Sequence, residues 1–435
     1  MMKIANIVRR GSLAALTGLL LVAVGCGDLF DIENPGQILD TDLDDVELID
    51  VLIVGLSSDV SDFMDNAGFG VARLTDEMAG SGSYSSTGNL RIGIAMQDEV
   101  NGIWEQAHEA AWMAELHIAR IEELLEPAAF SSDPRIGRAY VFEGIAHRTL
   151  GEIYCQVVYS DEDNYGGLQP REVAFDLAVT AFTRALSFGT EFQEAAHAGL
   201  ASAYADLGQW SEAVSEARLV GDDFVFEIFY DLNDNENEIK DETHDRNEMS
   251  VIGSYAGTFD PPDVRAPFVR CDIDGGCKGG TTVGADGVTT HWRQDKFDDS
   301  GSEITALSGK EARLIEAEAA LMSGDLGEFT TQINRVRDLY GMPSITEPAT
   351  AGAMEYPNAF DDAWSILDGE RHLTLWLEGR RLWDLDRWNH PFLNGGTVVW
   401  DGEPQRDSCY PVPSAECAVN PNFTCKEAAA GTNSG

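Results

Sequence analysis

Two apolar stripes run along the segment from Glu370 to Asn389, which is rich in aromatic, aliphatic and charged residues. The first stripe consists of Leu373, Trp376, Leu377 and Trp383, and the second is marked by Leu375 and Leu382, seven residues apart. Neither face of such a helix is fully solvated. The pattern therefore predicts one buried helix over the whole segment.

The charged residues of this segment also have helical spacing. Arg381 follows Glu378 by three positions, and Asp384 follows Arg380 by four. Residues at these separations are neighbours on a helix surface. We therefore expect these charges to pair within the helix rather than stay isolated in the core.

Helical periodicity also covers Val46 to Met64 and Gln97 to Leu125. The stretch between them, Gly68 to Met96, contains many Gly and Ser residues and is predicted to be a loop. Five tryptophans lie within helical patterns and are predicted to belong to the core: Trp104, Trp112, Trp376, Trp383 and Trp388.

Three stretches have the pattern of tetratricopeptide-type helix pairs, over about residues 135–220: Arg138 to Val158, Ala174 to Leu186 and Gln193 to Val220. Residues with the spacing of that repeat are Leu200, Ala201, Tyr204, Gly208, Trp210 and Ala213. Small residues let two helices touch, Gly forms the turn and an aromatic ring fills the groove. Repeats of this kind form scaffolds that bind proteins.

From Asp222 to Leu307 the periodicity breaks up, and Gly253 to Thr290 is predicted to be irregular with a short hairpin. The helical pattern resumes at Ser308, and Lys426 to Gly435 is predicted to be a flexible tail. We expect a single, mostly α-helical domain over residues 46–425, with a loop-rich region at about 222–307 and a C-terminal part at 308–425.

Acidic residues outnumber basic ones by 75 to 29, which gives a formal net charge of -46. A surface of this charge repels nucleic acid and other polyanions, so no nucleic-acid partner is expected. Adaptation to a saline medium and solubility explain such acidity most simply. Binding of a divalent cation or a cationic ligand is the alternative.

Residues 1–25 have the composition of a lipoprotein signal peptide. Three basic residues open it: Lys3, Arg9 and Arg10. The uncharged run from Leu13 to Val24 is short for a membrane span. Ala23 to Cys26 resembles a bacterial lipobox, so we expect lipidation of Cys26, with an ordinary secretory signal as the alternative. Residues 26–45 are predicted to be an acidic tether.

The cysteines other than Cys26 are Cys155, Cys271, Cys277, Cys409, Cys417 and Cys425. Disulfides persist in exported proteins. Proximity favours a bridge from Cys271 to Cys277 and one bridge within the last three cysteines, whereas Cys155 is expected to be a buried free thiol. No pair has the C-x-x-C spacing of a zinc or redox site.

An acidic run from Asp231 to Glu248 partly imitates a calcium-binding EF-hand loop. The candidate ligands are Asp231, Asn233, Asn235 and Glu242. Glu236 occupies the position where that loop needs Gly for its sharp turn. A solvated loop is therefore the main interpretation, a structural calcium site is the alternative, and no other cofactor is expected.

No catalytic signature stands out, because G-x-S-x-G, H-E-x-x-H and the phosphate-binding G-x-x-x-x-G-K-[ST] are all absent from the sequence. Acidic pairs such as Asp76-Glu77 do not establish the separation of about 5 to 10 Å that a glycosidase needs. The chain is predicted not to be an enzyme, and a secreted glycosidase is the weakest alternative.

Three ordered blocks resemble the SusD/RagB family. Glu370 to Trp388 is similar to its C-terminal hallmark, E-R-x-x-x-L-W-x-E-G-x-R-x-W-D-L-x-R-W, although Thr374 stands where Glu is commoner. Glu311 to Pro343 resembles its R-L-x-E-A-E-A helix and N-x-V-R segment. Tyr410 to Phe423 resembles its closing P-I-P-x-x-E-x-x-x-N-P-N run.

The resemblance implies a SusD-like fold and a surface lipoprotein of the outer membrane, facing outward. Such a protein binds a nutrient, most often an oligo- or polysaccharide, and delivers it to a SusC-like TonB-dependent transporter, which its tetratricopeptide helices face. A protein-binding assembly scaffold remains an alternative, although it does not account for the C-terminal blocks.

The resemblance also implies a ligand platform built from loops near the first helices and from the irregular middle region. Sugar binding needs an exposed aromatic face and planar polar groups. The candidates by region are Arg73, Asp76, Tyr84, Asn89, Arg91, Tyr255, His291, Trp292 and Arg293. Tyr84 and Trp292 are the expected stacking residues, and the identity of the ligand stays open.

Overall fold

The computed structural model describes residues 43–161, 164–232, 235–273, 277–354, 362–394 and 406–429. This part of the chain is mostly helical and carries four two-stranded sheets. Residues from Ile49 onward form one compact unit. In the unit before it, Val46–Leu48 form a single 3-10 turn. The predicted signal peptide and Cys26 lie outside the described residues.

Four helices open the compact unit: α1 (Ile49–Leu74), α2 (Ser85–Arg91), α3 (Asn101–Leu124) and α4 (Pro127–Phe130). Helix α1 continues past its predicted end, and α2 lies inside the predicted loop, so the loop prediction is wrong at both places. A Cβ atom at Gly68 would lie 2.8 Å from the carbonyl oxygen of Leu377. Gly68 therefore allows a helix to pack closely against another segment of backbone, and it does not mark a loop.

The tetratricopeptide-type helices follow: α5 (Pro134–Ile153), α6 (Glu172–Ala185), α7 (Gln193–Asp206) and α8 (Trp210–Ala217). This confirms the helical repeat pattern. Gly144 of α5 and Gly199 of α7 face the ring of Phe182 on α6, where an added Cβ atom would come within 2.6 and 2.4 Å of the ring. Gly208, with a positive φ of 69°, forms the turn between α7 and α8.

Short antiparallel pairs make up the rest of the fold, and the strands are β1 (Ala79–Gly80), β2 (Gln156–Val157), β3 (Gln169–Pro170), β4 (Val225–Ile228), β5 (Met249–Ser250), β6 (Phe268–Arg270), β7 (Trp292–Gln294) and β8 (Ile304–Ser308). The pairs are β1–β5, β2–β3, β4–β8 and β6–β7. Helix α9 (Glu238–Lys240) runs directly into a π-turn, Asp241–Asp245.

The C-terminal part adds α10 (Gly309–Ser323), α11 (Leu326–Leu339), α12 (Ala363–Thr374), α13 (Arg381–Arg387), α14 (Ser414–Val419) and α15 (Cys425–Ala428). Ser308, Asp325 and Asp362 cap α10, α11 and α12 by accepting hydrogen bonds from backbone N–H groups. Leu314, Phe329 and Leu367 join these three helices in one apolar core.

The prediction of one helix from Glu370 to Asn389 is wrong. Helix α12 ends at Thr374 and α13 begins at Arg381. Between them, Leu377 and Gly379 have positive φ angles of 61° and 75°. The N–H group of Leu377 donates to the side chain of Glu77 at 2.7 Å, so a distant carboxyl group satisfies the backbone where the helix stops.

Two cysteine predictions are confirmed and one is wrong. The structure contains the Cys271–Cys277 and Cys417–Cys425 disulfides. Cys155, expected to be a free thiol, is bonded to Cys409 across 254 residues. The chain beside Cys155 pairs with that beside Cys409, because the Cys155 N–H donates to the Tyr410 carbonyl at 2.9 Å.

The tail predicted to be flexible from Lys426 is helical in its first residues. Helix α15 includes Lys426, and Thr424 and Glu427 form a reciprocal capping box at its start. None of the described helices is long and apolar enough to cross a membrane.

Candidate functional site

A buried charge cluster surrounds the hallmark segment, and we define it as Arg371, Arg380, Arg381, Asp76, Glu152, Glu311, Asp368 and Asp384. Arg381 donates to both oxygens of Asp76, at 2.7 and 2.8 Å, and also pairs with Asp368. Arg380 pairs with Glu152 at 2.7 Å and Glu311 at 2.8 Å. The cluster thereby connects the C-terminal segment to the end of α1, to α5 and to α10.

The expected pairing within one helix is wrong, because the chain reverses at Leu377. Glu378 accepts from Lys296 at 2.7 Å, and Asp384 accepts from Arg371 and Arg387. All the expected charges are paired, but not with the expected partners: most partners are distant in sequence or across the break, and Arg387 lies on the same helix as Asp384.

Electrostatics at this cluster are those of a structural core. Burial alone would raise the pKa of Asp76, but Arg381 and His372 outweigh burial and lower it to about 2. Burial raises the pKa of the neighbouring Glu77 to about 8, although the Leu377 N–H opposes the shift. An ionised Asp76 and a Glu77 that retains its proton near neutral pH both connect the residues after α1 to the hallmark segment.

The structure brings the two predicted ligand regions together. Strand β1, from the first region, pairs with β5 of the middle region. Arg91 donates to the Gly80 carbonyl at 3.1 Å and to the Thr289 hydroxyl at 3.2 Å. The backbone of Trp292 donates to Ser250 at 2.8 Å. We call this assembly of the first and middle loops the loop platform, comprising residues 80–91, 246–258 and 282–294.

Six of the nine predicted ligand residues are at least partly exposed in the platform or beside it: Arg73, Tyr84, Asn89, Arg91, Trp292 and Arg293. Tyr84 is 38% exposed, with the Arg246 guanidinium 5.1 Å from its ring centroid. An exposed aromatic ring beside a planar donor is the combination that sugar recognition needs.

Three predicted ligand residues do not face solvent, which corrects their expected role. Asp76 is bound by Arg381 in the charge cluster. Tyr255 and His291 are buried, and the Tyr255 ring packs against His372 at 4.7 Å between centroids. Buried side chains of this kind do not contact a ligand at the surface.

Trp292 is half-buried rather than freely exposed. Its ring is stacked on Phe268, with 3° between the planes, and the Arg270 guanidinium lies 4.5 Å from its centroid. Strand pairing of β6 with β7 places these three side chains on one face. A ligand would therefore reach the remaining exposed part of the indole.

A cavity of about 480 Å³, which the sequence pattern did not predict, lies between the α7–α8 turn and α13, and we call it the tryptophan pocket. Four tryptophans contribute to its lining: Trp210, Trp364, Trp383 and Trp388. The indole N–H groups of Trp383 and Trp388 donate to Asp206 and Glu318, both at 2.7 Å. The size and aromatic lining are typical of a ligand pocket. The concentration of tryptophan between residues 364 and 388 was the one feature of the sequence that could have indicated it.

The core prediction holds for Trp104, Trp376 and Trp383, which are buried, but not for Trp112. Trp112 is 57% exposed and lines a second cavity, of about 500 Å³, with Trp104 and His108. Trp388 is half-buried at the tryptophan pocket. Helical spacing placed these residues on helices but could not show which faces stay uncovered.

The structure describes three of the four calcium candidates. Asn233 lies outside the described residues, Asp231 is exposed, and the Asn235 amide donates to Ser61. Glu242 instead lies in the π-turn, with carboxylate oxygens of Glu238 and Asp241 within 4.8 Å. Burial, together with Glu238, raises the pKa of Glu242 to about 8.

Comparison with known proteins gives a consistent result for fold and family. Residues 311–433 match the profile of the SusD family. No curated protein matches the chain. A SusD-like protein from Bacteroides fragilis aligns with a TM-score of 0.67 and 14% identity, covering 88% of this chain and 97% of the other.

Two further solved structures are similar. A SusD-like carbohydrate-binding protein from Bacteroides fragilis has a TM-score of 0.64 and 15% identity over 87% of this chain and 99% of its own. A laminarin-binding SusD-like protein has a TM-score of 0.57 and 12% identity over 87% and 99%. The resemblance to the SusD/RagB family is confirmed: residues 311–433 match the SusD family model, and the chain has the SusD-like fold.

Proposed function

We propose that this protein captures a nutrient at the cell surface, most often an oligo- or polysaccharide, and delivers it to a SusC-like TonB-dependent transporter. The observation that carries the proposal is the SusD-like fold, which aligns with 97% of one neighbour and 99% of two others. The neighbours described as carbohydrate-binding and laminarin-binding support a sugar as ligand. Capture and delivery require no covalent chemistry.

The lipid anchor belongs to the same proposal. The lipobox-like sequence ending at Cys26 supports lipidation there, and lipidation would hold the chain at the outer membrane, facing outward. Mass spectrometry of the N-terminal peptide from membranes tests this, with Cys26→Ser as the variant expected to be released. An unmodified Cys26 in wild-type membranes contradicts the anchor.

The loop platform is the proposed ligand surface. Tyr84 offers an exposed ring with Arg246 beside it, and Asn89, Arg91 and Trp292 border the same loops. Stacking of a sugar on an aromatic ring depends on that ring, so Tyr84→Ala is expected to weaken binding about tenfold or more. Trp292→Ala should weaken it as well.

The matched control is Tyr165→Ala, because Tyr165 is 55% exposed in the loop between β2 and β3, outside the platform. Calorimetric titration of all three variants with a glycan tests the location of the ligand surface. If all three variants bind the glycan equally well, the loop platform is not the ligand surface. The tryptophan pocket would then be examined with Trp364→Ala.

The tetratricopeptide-type helices are the proposed contact with the transporter. Co-purification from membranes tests this, with detection of any TonB-dependent outer-membrane protein retained by the tagged chain. Failure to retain such a protein while glycan binding persists would leave ligand capture supported and contradict delivery.

A structural calcium ion is also proposed, now at Glu238, Asp241 and Glu242 rather than in an EF-hand-like loop. Oxygen ligands suit Ca²⁺, and one Glu242 oxygen is buried with no hydrogen-bond partner among the described residues. Added calcium is expected to raise the melting temperature of the wild type but not of Glu242→Gln. An equal response of both proteins contradicts the site.

A further inference from the structure

A second group of possible metal ligands lies between α3 and α5, outside the loop platform. It consists of Glu115 on α3 and Glu143 and His147 on α5. One potential ligand atom from each lies within 4.8 Å of the others. Glu143 and His147 are four residues apart on one helix, which places both side chains on the same face.

Glu143 is the residue that hydrogen bonding leaves unexplained. Its residue exposure is only 5%, and its Oε2 atom has no hydrogen-bond partner among the described residues. Its Oε1 atom lies 3.9 Å from His147 Nε2, too far for a hydrogen bond. A buried carboxyl oxygen without a hydrogen-bond partner is costly unless a proton or a cation accompanies it.

The orientation of His147 is fixed by a tyrosine at its Nδ1 atom. His147 Nδ1 lies 3.1 Å from the Tyr159 hydroxyl, so Nε2 is directed towards Glu143. Metal-binding histidines commonly hold their second nitrogen in this way. When Nδ1–H donates to the Tyr159 hydroxyl, Nε2 carries the lone pair that can bind a metal ion.

The separation of the histidine and Glu143 ligand atoms fits one small cation. Nitrogen and oxygen ligands lie about 2.0 to 2.2 Å from Zn²⁺, so two ligands of one ion are at most about 4.4 Å apart. The 3.9 Å between His147 Nε2 and Glu143 Oε1 meets this limit. Glu115 is exposed, so its carboxylate can close on an ion that enters from solvent.

We propose that Glu115, Glu143 and His147 bind a divalent transition-metal ion of the zinc class, joining α3 to α5. One imidazole and two carboxylates favour such an ion over Ca²⁺, which takes oxygen ligands only. Three protein ligands leave a coordination position open towards the Glu115 side. The proposal does not depend on nutrient capture.

The test is calorimetric titration of the chelator-treated full chain with Zn²⁺, supported by the visible absorption of bound Co²⁺. The wild type is expected to bind one ion that His147→Ala binds at least tenfold more weakly. Glu115→Gln, at an exposed position where folding is not at risk, should also lose at least tenfold. Tyr159→Phe removes the orienting hydroxyl and should weaken binding about tenfold.

Two control variants separate this site from the acidic surface. Glu109→Gln changes an exposed carboxylate on the same helix, near Asp59 and Asp62. His197→Ala removes a histidine that pairs with Glu216 instead. Both should bind Zn²⁺ like the wild type. Equal binding by wild type, Glu115→Gln and His147→Ala, or no stoichiometric binding by the wild type, overturns the proposal and assigns Glu143 a proton instead.

Discussion

Replacing Arg381 by Ala is the sharpest test of the buried charge cluster. Arg381 is 2% exposed, and its partners Asp76 and Asp368 are 0% and 1% exposed. Its removal leaves two buried carboxylates without their principal cation. Removing one partner of a buried ion pair commonly costs about 3–5 kcal/mol, so we expect a loss of this size in the free energy of unfolding.

The lowered pKa of Asp76 gives a second value for the contribution of this pair to the free energy of unfolding. Its fall from 3.8 to about 2 in the folded state corresponds to roughly 2–3 kcal/mol of stability. Because the folded pKa is the lower one, this contribution is complete above about pH 4. It disappears as the pH falls through about 2. Arg381→Ala should lose stability at neutral pH and show a flatter decline in acid.

Urea unfolding at pH 7 and pH 3 measures both effects. The matched control is Arg335→Ala, because Arg335 and its partner Asp222 are each 36% exposed and such pairs contribute at most about 1 kcal/mol. Adding Asp76→Asn and Asp368→Asn to Arg381→Ala should recover part of the loss. A loss for Arg381→Ala no larger than that of the control refutes the reasoning.

Three further predictions concern covalent, ionic and packing contacts. Replacing both Cys155 and Cys409 by Ala should cost about 2–5 kcal/mol in urea unfolding, because their bridge closes a loop of 254 residues; an unchanged midpoint would contradict this. Glu77, with its pKa raised from 4.5 to about 8, should make the wild type lose stability between those pH values, and Glu77→Gln should flatten that decline in melting scans at pH 5 and pH 9. An equal loss of stability in the wild type and in Glu77→Gln would show that another group causes the pH dependence. Gly68→Ala should destabilise by about 1–3 kcal/mol, since its Cβ would meet Leu377 at 2.8 Å, whereas Gly102→Ala, with nothing within 4 Å, should not destabilise.

Local periodicity predicted the tetratricopeptide-type helices well, because their small and aromatic residues recur at positions that pack within the repeat. The hallmark segment was harder. Its apolar stripes indicated burial correctly, but the break at Leu377 depends on Glu77, about three hundred residues earlier in the chain. A contact at that separation has no signature in local spacing.

The exposure of the candidate ligand residues could not be predicted residue by residue. Tyr84 is exposed as expected, whereas Asp76 and His291 are buried. Composition could not separate them, because exposure depends on how the first and middle loops pack together. Likewise, Cys155 has its partner 254 residues away, so proximity in sequence could not identify it.

The most direct test of the account is calorimetric titration of the purified wild-type protein with a broad panel of neutral and charged glycans, including laminarin. Nutrient capture predicts saturable binding of at least one glycan, with the strongly acidic chain disfavouring polyanionic ones. Absence of binding to every glycan, with the fold verified by circular dichroism, would contradict saccharide capture.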